Sequence, residues 1–82
     1  MINEVYNHKI DTCSSIVIMN HDTQFEIYII DYNAICFRRA MLITGGVFLW
    51  EYAPTFDDIK KAITFVESNI SNFVWGLNDC TK

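Results

Sequence analysis

The chain has 82 residues, 51% of them hydrophobic and 15% aromatic, and a formal charge of −4 from ten acidic and six basic side chains. That length holds one domain, so residues 1–82 are expected to form a single α+β unit. The mild acidic balance argues against direct nucleic-acid binding, which needs a basic face, while the surplus of apolar side chains points to a protein partner.

The first stretch, Met1 to Lys9, has no basic segment followed by an apolar one. No secretion signal is expected from it, and the expected location is the cytoplasm. Residues 1–11 read equally as a strand, a helix or a disordered arm. A β-meander of three to four antiparallel strands is expected over about 12–52. Ser14 to Asn20 is a short β-branched run, and the cluster Asn20-His21-Asp22-Thr23 reads as a turn. In Gln24 to Tyr32, alternation sends Phe25, Ile27 and Ile29 one way and Glu26, Tyr28 and Ile30 the other. Only Glu26 is charged among those six, so both faces read as at least half covered. Asp31-Tyr32-Asn33 can host a second tight turn. Ala34 to Thr44 is apolar except at Arg38-Arg39, and Gly45-Gly46 is a two-residue hairpin signal ahead of Val47 to Tyr52.

An amphipathic helix is expected over about 55–75. Pro54 bars an earlier start, Thr55 is a good N-cap, and Asp58 stands three residues on, as in a capping box. Phe56, Ile59, Ala62, Ile63, Val66, Ile70, Phe73, Val74 and Leu77 recur at helical spacing. Ser68-Asn69-Ile70-Ser71-Asn72 is rich in weak helix formers, so a bend or break is expected there, and Gly76 reads as a stop. One such helix on one face of an antiparallel sheet is a two-layer fold. It leaves the opposite face of the sheet without a cover, and that face is not polar.

Chemistry-bearing patterns are sparse. Cys13, Cys36 and Cys80 are odd in number and widely spaced, unlike a disulfide framework. His8, Cys13, His21 and Cys80 lack the close pairs that fix half of a zinc tetrahedron. The two histidines have no nucleophile in a recognisable setting, and Asp57-Asp58 is explained by the start of the helix. Gly45-Gly46 is followed by neither Lys-Ser/Thr nor a helix, so it is no phosphate loop. The reading is of a non-enzyme with no catalytic group, cofactor or metal. The longest uncharged run, Ala40 to Trp50, is too short to span a bilayer, so no membrane contact is expected.

Arg38, Trp50, Tyr52, Phe73 and Trp75 are the candidate partner-binding residues. Alternation puts Arg38 and Arg39 on opposite faces, where one can meet Phe37, Trp50 or Tyr52. Such a pair is a protein-binding hot spot or, more simply, a solvated arginine over a ring. Trp75, beyond the weak stretch of the helix, is the first choice for an exposed anchor. The apolar excess and small size suggest a protein-binding module with homodimerisation. The composition is rich in Ile and Asn and poor in Ala, Gly, Pro and Arg. This suggests a phage or mobile-element accessory protein that inhibits or modulates a host protein. Two rival expectations are an acidic mimic of nucleic acid, with Glu51, Asp57, Asp58, Glu67 and Asp79 at phosphate-like spacing, and a structural or ligand-binding subunit of a homo-oligomer.

Overall fold

The structure, a computed structural model, describes residues 2–10, 12–33, 36–43 and 50–73. Strands β1 (Ile2–Lys9), β2 (Ser14–His21), β3 (Gln24–Asp31) and β4 (Cys36–Arg39) form an antiparallel sheet in chain order. The undecided N-terminal segment is thus a strand, and the meander begins at Ile2 rather than near residue 12. The register shifts between Glu4 and Tyr6 on β1, the sheet's outer strand. A bulge of this kind on an edge strand hinders pairing with another chain. Between β2 and β3, His21 pairs with Gln24, which leaves Asp22-Thr23 as a two-residue turn. Asp22 has φ 60°, the positive value that such a turn demands.

After β4 the chain changes partners. Ala40 still donates its N–H to Ile27 O (2.9 Å), while its own carbonyl accepts from Ala53 N (2.9 Å). Beyond it, β5 (Met41–Ile43) pairs with β6 (Trp50–Tyr52) in a separate two-stranded ladder. Ala40 is fully buried, and a methyl group suits the corner where one strand passes between two sheets. The edge of β3 that β4 no longer covers is taken by Phe56, which exchanges two backbone hydrogen bonds with Phe25 (2.7 and 3.0 Å). The expected Gly45-Gly46 turn lies outside the described residues.

That use of Phe56 corrects the helix start. Helix α1 runs Ile59–Ser68 with Asp58 at its N-cap position, φ −143° and ψ 128°, and no side-chain capping bond. Thr55 is therefore not the cap. Residues 53–56 stay outside the helix, with the backbone groups of Ala53 and Phe56 used in sheet pairing. The expected break near residues 68–72 is present. Asn69 leaves the helical range, its side chain donates to Phe65 O (2.9 Å), and a 3₁₀ turn covers Ile70–Asn72. Asn side chains favour such local backbone bonds over helix continuation. Phe73 is extended again and bridges Leu42. Among the described residues no helix is long and apolar enough to cross a membrane.

The core lies between the sheet and α1. Ile16 and Ile18 of β2 and Ile27 and Ile29 of β3 meet Ala62 and Val66 of the helix, with Ala40, Leu42, Ala53 and Phe73 closing one end. Each buried Ile contributes about 1.5–3 kcal/mol of hydrophobic stabilisation. Phe65 connects Phe56 (centroids 5.4 Å apart) to Phe73 (6.3 Å, edge-on) beneath the helix. At the other edge, the Tyr6 hydroxyl donates to Glu67 Oε2 of α1 at 3.1 Å.

Candidate functional site

The same strands present a second set of side chains on the face turned away from α1. The cross-strand registers place Asn7, Val17, Tyr28 and Arg39 in one row, and Lys9, Ser15, Ile30 and Phe37 in the next. Both rows fall on the side opposite Ile16, Ile18, Ile27 and Ile29, because side-chain direction alternates along each strand. Their centre is dry, with Val17 fully buried and Ser15 1% exposed. Toward β4 this face opens. Tyr28 and Phe37 stack at 4.5 Å with planes 2° apart, yet Phe37 keeps 50% of its surface in water.

Arg39 carries the patch round to the hairpin. Its guanidinium carbon lies 5.4 Å from the Tyr52 ring centroid, and its Nη2 donates to Ala53 O at 3.1 Å. The carbonyl holds the side chain down, so Arg39 joins the Tyr28–Phe37 stack to Tyr52, which is 61% exposed. Tyr52 and Ile43 in turn line an open groove of about 410 Å³ shared with Leu42, Pro54 and Phe65. Phe37, Tyr28, Arg39, Tyr52 and Ile43 therefore form a continuous stripe. Burial first, and the neighbouring Glu26 carboxylate second, push the Tyr28 phenol above its ordinary value. The ring thus stays neutral through the physiological range.

The other end of this face is polar. Tyr32, 49% exposed, donates to Ser15 Oγ at 3.5 Å. Its hydrogen bonds with Ser15 and with Asn7 lower its phenol from the ordinary value. Asn33 Nδ2 lies 3.0 Å from Cys13 Sγ as a donor. No group of three His, Cys, Asp or Glu side chains among the described residues could hold a metal ion.

No family model, curated protein or solved structure gives a significant match to this chain. The stripe must be read from its own residues.

Of the five residues singled out from sequence, Tyr52 lies in the stripe. Arg38 pairs with Ile29 and so shares the helix side of the sheet, part-buried, while its neighbour Arg39 has the open side. Phe73 is 3% exposed and belongs to the core. The sequence pattern placed it on a helix, whereas it sits on an extended segment whose backbone bridges Leu42. The Trp50 side chain and all of Trp75 lie outside the described residues. Arg39 and Phe37 enter the sequence reading only as the second arginine of the doublet and a ring that one of the two can meet, and Tyr28 and Ile43 are not among its candidates. Alternation along β3 already turns Tyr28 away from Ile27 and Ile29, but nothing local announces the β3–β4 register that stacks Phe37 on it. Of the acids expected in a nucleic-acid mimic, Asp57 and Asp58 stand at the start of α1 and Glu67 near its end, with Glu51 on a different element. Glu51 is on β6, Asp57 contacts Lys61 (3.8 Å) at the start of α1, and Glu67 accepts from Tyr6. Asp79 lies outside the described residues.

Proposed function

We propose that this chain is a non-enzymatic protein-binding module whose contact surface is the stripe Phe37–Tyr28–Arg39–Tyr52–Ile43. The observation that carries the reading is the exposure of Phe37 (50%) and Tyr52 (61%) on either side of an arginine fixed in place by a backbone carbonyl. Aromatic and arginine side chains dominate binding energy at protein interfaces. A side chain already held in one position loses little conformational freedom when a partner arrives. The small size and mild acidity fit an accessory protein of a phage or mobile element that inhibits or modulates a host protein in the cytoplasm. Pairing with a second copy is another use of the same surface.

Site-specific photo-crosslinking in cells that carry the gene tests this. A benzophenone side chain placed at Phe37 or at Tyr52 is expected to capture a discrete protein adduct, either another protein or a second copy. The same group at Thr64, exposed on α1, is expected to capture none. Equal labelling from all three positions, or none from the stripe, removes the proposal.

A further inference from the structure

We draw no further inference here: the strongest candidate, the open groove of about 410 Å³ lined by the β5–β6 hairpin and the C-terminal part of α1, adjoins the stripe already described, and nothing in the structure shows what covers it.

Discussion

The two faces of β3 are built from one run of eight residues, yet they do different work. Ile27 and Ile29 disappear under α1, whereas Tyr28, between them, reaches the other side and stacks on a ring half open to water. The two faces differ in composition: Phe25, Ile27 and Ile29 point to the helix, whereas Gln24 and Glu26 share the other side with Tyr28 and Ile30. They also differ in exposure: the helix covers Ile27 and Ile29, while the far face of the sheet is buried at Val17 and Ser15 and open at Phe37. The helix has one apolar stripe, centred on Ala62 and Val66, and can be packed against only one side of the sheet. The more apolar face of β3 is the one that the amphipathic helix covers.

The largest effect expected from this contrast comes from truncating one residue on each face. Ile27→Ala leaves a cavity among Ile16, Ile18 and the helix, and is expected to cost about 2–4 kcal/mol, a large share of a small domain's stability. Phe37→Ser on the open face is expected to change stability by less than about 1 kcal/mol, because half of the ring is already hydrated and only the Tyr28 stack is lost. Urea denaturation of the two variants decides the matter. Comparable losses would mean that the open face is as much core as the covered one.

Arg39 is expected to come next, because it links the open face to the hairpin. Arg39→Ala removes the bond to Ala53 O and the contact with Tyr52. Together these are worth about 1–2 kcal/mol. Part of that is offset, because Arg39 Nε is buried without a hydrogen-bond partner among the described residues and the substitution removes it too. Arg39→Met keeps the apolar stem and separates packing from hydrogen bonding. If methionine restores full stability, the guanidinium contributes nothing to the fold.

The covered face has a smaller, pH-dependent contact at its edge. Burial, and then Glu67, raise the Tyr6 phenol above its ordinary value of 10.0. A group with a raised folded-state pKa stabilises fully below its unfolded value, and that contribution fades as pH rises through the folded one. Tyr6→Phe is therefore expected to cost about 0.5 kcal/mol at pH 7, small because the bond is exposed. The gap between variant and parent should close above pH 10. Denaturation midpoints at pH 7 and pH 10.5 measure it; a gap that does not change with pH would show that the tyrosine–carboxylate bond is not what tethers α1 to β1.

How much of this contrast could be read from the sequence differs by element. The alternation in Gln24–Asp31 named both faces of β3, and the β-branched run 14–20 placed β2, because a period of two survives without tertiary information. The weak helix formers at 68–72 foretold where α1 ends. The start of the helix is not legible locally: Thr55 and Asp58 satisfy a capping pattern, while Phe56 is claimed by a partner 31 residues away, Phe25. Local pattern carries no record of such a long-range bond. The stripe was half legible for the same reason. Tyr52 and an arginine of the 38–39 doublet were marked by type, but which arginine faces Tyr52 depends on the β3–β4 register, and Phe73 reaches the core only because the chain straightens after the 3₁₀ turn.

The smallest expected effect concerns what keeps the faces apart at all. A slip of one residue between β2 and β3 would send Ile27 and Ile29 to the open side and Tyr28 beneath the helix. The two-residue Asp22-Thr23 turn fixes that register, and it holds a non-glycine residue at φ 60°. A side chain there strains the backbone by about 1 kcal/mol, somewhat less for Asp, which tolerates the left-handed region. Asp22 also lies 3.9 Å from the exposed His21 imidazole, a surface contact of little worth. Asp22→Gly relieves the strain but makes the unfolded chain freer, so the net gain is expected to be only about 0.5 kcal/mol. The informative variant is Asp22→Pro, whose ring holds φ near −65° and forbids the observed turn. If the turn sets the register, Asp22→Pro should broaden the amide spectrum of β2 and β3 and weaken protection of Ile27 and Ile29 against hydrogen exchange, while Asp22→Gly leaves both unchanged. A proline variant with the parent's protection pattern would mean that the helix alone selects the face it covers, and that the hairpin merely follows.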